Sequence, residues 1–600
     1  LTLGSAAAPA MLNIGWSQNA NGNGSGSATG MLDALERAAA LDLHLSELNV
    51  GRGSSAGTGT GTLKWNQSEV ITAPDVYFGR GNATGLLEVP AGGEFLLGTA
   101  AAPISNLRIA YSDAGRGTAT ANLDFSQTNP TFTAFIADDL SIGRETGSAS
   151  FTSTAADGSL TLASNSSLTL GSAAAPAMLN IGWSQNANGN GSGSATGMLD
   201  ATKGSLTAEL SELNVGQTTG RGTADGTLIM GNGVALHSDA TNIGVGTGAS
   251  GTLTLVDNFT GTFSTATANL ANGLFDFGNN TLDIGGAGSI VADTFSLTGG
   301  LLSGNRIDLN AAGNLTFTGG RLDVMTFNGT LNEGGGTLAA GDTAVGTTTV
   351  NGDYLLSAAG TLEIDLAGAG AGVGYDQLVV NGAVDLNGSG ATGGMLDLLL
   401  AFAPQLNDTF VIIQNDGTDA ILGDFLGLAE GSTVEQSFAG NVYSFSITYA
   451  GGDGNDVELA VTNIAASAPL PFAVQANRIG VAGDAAIMVA ETGSAGDEPS
   501  LGDSGDETAV TGPDSDIVRF DGLFASLADS NARTDASVPE VTAVPEPSAP
   551  SLPEFGSQID TDGSLGLGDP YGGFFPDSDA MHLLAVAGAQ PIGSADLVLT

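Results

Sequence analysis

Three histidines, His44, His237 and His582, and no cysteine leave this 600-residue chain little material for metal or nucleophilic chemistry. None of the three lies at metal-pair spacing, and no thiolate can complete a ligand set. A Ser–His–Asp triad needs a positioned imidazole, and neither His44 nor His237 has neighbours that suggest one. The run GTGASG (246–251) matches a dinucleotide fingerprint but is followed by TLTL, a strand, where a helix N-terminus should hold the pyrophosphate. GRGSSAGTGTGT (51–62) lacks the Gly-Lys-Ser/Thr ending of a phosphate loop. No catalytic residue is assigned, and the chain is expected not to be an enzyme.

Three other constellations remain. GGDGND (451–456) combines turning glycines with the oxygens of Asp453, Asn455 and Asp456, a candidate Ca²⁺ site, or else a plain hairpin between ITYA and VELAVT. It is similar to one nonapeptide of the calcium-binding RTX repeats, although Glu458 stands where that repeat has a large apolar residue. DTDGS (560–564) has the look of a calcium loop without its bidentate glutamate. Arg306 with Asp308 and Arg321 with Asp323 are about one coil apart and could stack on one face, as acids do in polysaccharide-active enzymes or in a solvated ladder. Trp16 and Trp183 occupy the same place in LNIGWSQNANGNGSG, where an aromatic beside amides could contact a glycan or cover a strand edge.

The elements that carry these residues are repeats. Residues 1–34 recur letter for letter at 168–201, and an eroded copy, FLLGTAAAPISNLRI, stands at 95–109. The chain is therefore an array built by duplication. The phrase apolar-x-apolar-Gly appears as LNIG (12–15), LNVG (48–51), VYFG (76–79), LSIG (140–143), LNIG (179–182), LNVG (213–216), IGVG (243–246) and LDIG (282–285), with LRIA at 107–110. Alternation of this kind marks half-buried strands, and the terminal glycine supplies the φ > 0 of a tight corner. FSLTGGLL (295–302) aligns with LTFTGGRL (315–322) at 20 residues, a suitable length for one coil of a parallel β-helix. Its inward candidates are Phe295, Leu297, Leu302, Leu315, Phe317 and Leu322. ALERAAALDLHLSEL (34–48) has helical composition, yet its counterpart ATKGSLTAELSEL (201–213) reads as strand. Either the first is a lateral helix or context forces it into a strand, and the strand is preferred.

Composition narrows the function. The balance of 63 acidic against 14 basic residues, net −49, excludes nucleic acid and disfavours anionic membranes. Divalent cations and neutral surfaces are the compatible partners. The absence of cysteine suits a bacterial exported protein that crosses membranes unfolded. No transmembrane segment is present, and the start inside a repeat suggests a piece of a longer protein.

From residue 330 the texture changes. TLNEGGGTLAAGDTAVGTTTVNGDYLLSAAGTLEIDLAG (330–368), YDQLVVNGAVDLNG (375–388), DTFVIIQNDG (408–417), ILGDFLGLAEGS (421–432) and YSFSITYAGGDGNDVELAVT (443–462) follow one another. This succession resembles the C-terminal passenger segment of autotransporter-like and other large bacterial surface β-solenoid proteins. The resemblance implies strands that close a solenoid, and the family's Pro-containing turn LAPGNSPGT reads LAAGDTAVGT here (338–347). Beyond 468, 12 of the 19 prolines accumulate without periodicity, in an acidic tail that cannot bury a core.

The expected architecture is all-β: a right-handed parallel β-helix (β-solenoid) over 1–329, a closing β-rich segment over 330–463, and a disordered acidic tail over 464–600. The expected role is an exported cell-surface or extracellular adhesive repeat protein, outer-membrane associated, meeting cell-surface, matrix or glycan ligands multivalently. The alternatives are a calcium-dependent matrix or surface-layer scaffold and a polysaccharide-active β-helix enzyme.

Overall fold

Strand pairing among the described residues is mostly parallel and runs from each coil to the next, so one coil is unstable until its neighbours cover its inward side chains. The computed structural model describes residues 2–467 apart from 19–25, 37–41, 55–56, 114–116, 147–153, 186–192, 342–344, 389 and 391, together with 597–599. The described residues contain no helix and form an all-β parallel β-helix. A coil visits three faces. In one coil, Phe132–Ile136 pairs with 166–170, Asp139–Glu145 pairs with 178–184, and Ala155–Thr161 pairs with 194–200.

Inward columns are apolar and continuous. Ile14, Val50, Phe78, Ile109, Ile142, Ile181, Val215 and Ile243 stack in register and are fully buried. The 20-residue period expected at 295–322 is a true coil: Phe295 pairs with Leu315, Leu297 with Phe317 and Leu302 with Leu322. All six are packed in or against the core, with Leu315 half-buried. The helix-like segment ends in strand, since Asp42–Leu43 and Leu45–Gly53 are extended, while 37–41 lies outside the described residues.

Glycine sets the coil geometry at two columns. The phrase glycines Gly15, Gly51, Gly79, Gly143, Gly182, Gly216 and Gly244 all have φ between 63° and 77°, the left-handed region. Ala110 takes the corner at φ 57°, as its place in LRIA implies. The second column, on the Thr154–Thr161 face, pairs Gly30, Gly61, Gly85, Ala121, Gly158, Gly197, Gly226, Gly251 and Gly273 in register. The two columns touch backbone to backbone. A Cβ on Gly182 would overlap the Asp225 carbonyl, and one on Gly197 would overlap the Gly182 amide. The exceptions compensate: Ala110 faces Gly158, and Ala121 belongs to the strand that faces Gly79. One phrase leaves the column, because Leu282, Asp283 and Ile284 of LDIG lie in Thr281–Ile284, which pairs with Arg306–Leu309. IGVG enters shifted, with Gly244 rather than Gly246 at the corner.

The segment that resembles an autotransporter passenger end continues the parallel coils. Thr361–Leu366 pairs in parallel with 395–400, and 378–380 with 413–415. Antiparallel strands Thr433–Phe438, Asn441–Gly451 and Asp456–Ala466 then follow, the last pairing back onto Thr409–Ile413. The tail expected to be disordered lies outside the described residues from 468 on, 597–599 excepted, as do DTDGS and His582.

The glycine contact predicts a graded response. Gly182→Ala forces a Cβ into a positive-φ corner and against a carbonyl, and should cost about 2–5 kcal/mol from the two causes together. Gly427→Ala, at φ 75° with open space around it, should cost only the conformational part, about 1–2 kcal/mol. Urea titrations of both variants test this, and equal losses would contradict it.

Candidate functional site

The residue after each corner glycine points away from the core, and stacking gathers these residues into one column. Its order is Trp16, Arg52, Arg80, Tyr111, Arg144, Trp183 and Gln217, each in register with the next. The middle residue of each phrase forms a second column beside it: Asn13, Asn49, Tyr77, Arg108, Ser141, Asn180, Asn214 and Asn242. A third column carries Met11, Glu47, Asp75, Asn106, Asp139, Met178 and Glu212.

Guanidinium groups tie the columns together. Arg52 lies 5.2 Å from the Trp16 ring centroid, Arg80 4.3 Å from Tyr77, Arg108 5.0 Å from Tyr111 and Arg144 4.1 Å from Trp183. Such contacts are attractive because the ring face is electron-rich. Carboxylates meet the same arginines: Glu47 lies 3.4 Å from Arg52 and 3.1 Å from Arg80, Asp113 2.8 Å from Arg80, and Asp139 3.3 Å from both Arg108 and Arg144. Asp75 reaches Arg108 at 4.0 Å. Beneath them the asparagine amides bond coil to coil, with Asn49 donating to Asn13 at 2.9 Å and Asn214 to Asn180 at 2.9 Å.

Burial and charge act against each other here. Burial and repulsion from Arg80 lower the Arg52 pKa, with Glu47 opposing. At Arg80 burial also pulls downward, but Asp113 and Tyr77 outweigh it and the net shift is upward. Burial raises the Tyr77 hydroxyl, whose oxygen accepts a hydrogen bond from Arg108 at 2.6 Å. Four of the seven described arginines sit on this face of a strongly acidic chain. Four carboxylates, Glu47, Asp75, Asp113 and Asp139, match them, so the face is close to neutral.

Trp16 and Trp183 thus share one column, five register steps or about 24 Å apart at ~4.8 Å per step. Sequence reasoning found the two tryptophans and missed the arginines and tyrosines between them. The missing signal was the position one past each phrase glycine and, for Tyr77 and Arg108, the middle position of the phrase.

The GGDGND turn joins Asn441–Gly451 to Asp456–Ala466 as a hairpin. Asp456 turns inward, and its Oδ1 accepts the Asn415 amide at 2.8 Å. Asn455 donates its side-chain amide to the carbonyls of Asp416 and Asp419, both at 3.2 Å. Burial raises the Asp456 pKa, Asn415 opposes this, and Asp453 adds to it. Asp453 is exposed in the turn. Among the described residues no group of three or more His, Cys, Asp or Glu is placed to hold a metal. Arg306 and Arg321 do not stack: Arg306 aligns with Thr326, and Arg321 with Leu301. Arg306 pairs with Asp308 at 2.7 Å, and Arg321 pairs with Asp323 at 2.9 Å and Glu363 at 2.6 Å.

One carboxyl was not anticipated. Glu333 follows Phe317 in an inward column and is fully buried. Burial pushes its pKa up to about 8, against hydrogen bonds from the Tyr354 hydroxyl at 2.8 Å and the Thr361 and Leu338 amides.

The fold and this face define a class, a parallel β-helix with a polar and aromatic ladder along one outer face. No family model and no curated protein matches the chain. Among solved structures it is similar to the crystal structure of the Haemophilus influenzae Hap adhesin, at 11% identity and a TM-score of 0.19. That alignment covers 73% of this chain and 62% of the adhesin chain, so the chain spans less than two thirds of its length. A superposition that weak carries no argument about function, and the fold stands on the strand register.

Two outcomes follow. Removing the inward carboxylate of Asp456 leaves a buried amide unpaired, so Asp456→Ala should cost about 1–3 kcal/mol equally in calcium and in chelator. A melting temperature of the parent chain that falls on chelation would instead support a calcium role. For Glu333, the folded state holds its proton more tightly than the unfolded chain, whose ordinary value is 4.5. Its contribution is therefore full below 4.5 and is lost as pH rises to about 8. Stability should fall across that window, and Glu333→Gln should flatten the slope in urea titrations at a series of pH values.

Proposed function

We propose that this chain is an exported bacterial cell-surface or extracellular protein that is structural and adhesive rather than enzymatic. Its stacked coils would act as a multivalent stalk. The observation that carries the reading is the ladder from Trp16 to Trp183. An acidic chain gathers four of its seven described arginines, with Trp16, Tyr77, Tyr111 and Trp183, on one face over successive coils. Each coil presents a shallow, half-buried set of polar edges, a geometry suited to weak contacts that add along the stack. An enzyme would need unpaired acids converging on a cleft, whereas the acids near Arg306 and Arg321 are tied in ion pairs. The lack of cysteine fits export through an oxidising compartment without trapped disulfides. Association with the outer membrane belongs to the same reading and rests on the resemblance of the 330–463 segment.

The test is binding of the 600-residue chain to intact bacterial and animal cells, followed by flow cytometry. Saturable binding is expected, reduced about tenfold or more in the double variant Arg52→Ser, Arg144→Ser, with circular dichroism confirming an intact fold. Absence of binding to every surface would leave a passive scaffold as the better account.

A further inference from the structure

The two tryptophans come from identical 34-residue blocks, so they are two copies of one contact. The stack puts both in one column about 24 Å apart, at ~4.8 Å per coil. Between them every coil offers a guanidinium or a phenol. Both tryptophans, Tyr111 and all four arginines are partly exposed, with arginine side-chain exposures of 17–25%. A small ligand would touch one or two coils. A chain-like ligand parallel to the coil axis would touch all six.

Charge selects among such chains. Four arginines face four carboxylates, so the column has no surplus positive charge, and the chain as a whole carries net −49. A polyanion would meet repulsion, and a polycation would have to compete with arginines already in place. An uncharged polymer of hydroxyl groups can both donate to the carboxylates and accept from the guanidiniums, with sugar C–H groups against the rings.

We propose that the ladder binds an uncharged, hydroxyl-rich glycan chain lying along the solenoid axis and bridging Trp16 and Trp183. This inference rests on the adhesive reading above and names its ligand. The two Trp contacts are joined by the protein on one side and by the glycan on the other. The second contact therefore forms intramolecularly, and affinity should step up when the glycan is long enough to span them.

The experiment is calorimetric titration of the 600-residue chain with size-graded neutral oligosaccharides, β-glucan, mannan and galactan series, beside sulfated chains of equal length, at low and high salt. At least one neutral series should show a tenfold or greater rise in affinity as its extended length passes ~24 Å, with little dependence on salt. Trp16→Ala and Trp183→Ala should each reduce long-chain affinity to near that of short chains while leaving short-chain affinity within about twofold. Trp16→Tyr and Trp183→Tyr should retain most of the step, which separates lost contact from lost folding. Affinity independent of length, or binding confined to sulfated chains with steep salt dependence, overturns the inference. Cell binding without any neutral-glycan binding defeats this ligand alone, and absence of both defeats the adhesive reading as well.

Discussion

The structure depends on one contact, the approach of two backbones at the paired glycine columns. The corner strand turns at positive φ, and its amides and carbonyls lie against the strand that follows on the next face. Nothing larger than alanine occupies either column among the described residues. Once that contact is made the corner has one position in every coil, and the residues on either side fall into register along the stack. The apolar columns and the outer ladder are both consequences. Packing alone would tolerate several apolar choices at Ile14, Val50 or Phe78. The backbone contact tolerates glycine, or alanine where the opposing strand gives way, as at Ala110 against Gly158.

A fixed corner also explains why scarce cations gather. The residue after the glycine leaves the core at the same angle in each coil, so an arginine there meets the ring or carboxylate of its neighbours whatever the intervening loop does. Loop length varies without disturbing the column, because phrase spacing runs between about 28 and 39 residues while pairing stays in register. Each guanidinium shares its charge between an aromatic face and one or two carboxylates. Exposed pairs of this kind contribute little singly, on the order of 0–1 kcal/mol, but half-buried and linked in series they restrain one another.

Much of this was legible in the sequence. The apolar-x-apolar-Gly phrases located the corner strands, and the 20-residue repeat of FSLTGGLL placed Phe295 over Leu315. What failed did so for physical reasons. LDIG matches the phrase, yet Thr281–Ile284 pairs elsewhere, because four residues of alternation specify a strand and not its face. Arg306 and Arg321 are 15 residues apart rather than 20, and that offset moves them to different columns. The ladder was half visible: tryptophan is rare enough to notice, whereas the arginines and Tyr111 of the same column are separated by whole coils. Glu333 was invisible because nothing local distinguishes a buried glutamate from a solvated one. Its burial comes from Phe317 on one side and Leu356 on the other.

The identical blocks separate intrinsic from contextual structure. Ala10–Ser17 and Ala177–Ser184 adopt the same strand with the same alternation of burial. Ser27–Ala34 and Ser194–Ala201 also share a sequence, but the second is far more buried. The first pairs in the sheet with Thr58–Trp65 on one side, while the second lies between Thr154–Thr161 and Thr223–Met230. Strand conformation is thus written in the block, and burial is supplied by the coils on either side. Identical strands also have identical edges, so local pairing cannot tell the two copies apart. Outer side chains can: on the next coil Trp16 meets Arg52 where Trp183 meets Gln217, although Asn13 and Asn180 each accept from the asparagine that follows them, Asn49 and Asn214. The polar ladder therefore gives each copy a distinct neighbour. That restrains register exchange between repeats whose inward faces are the same.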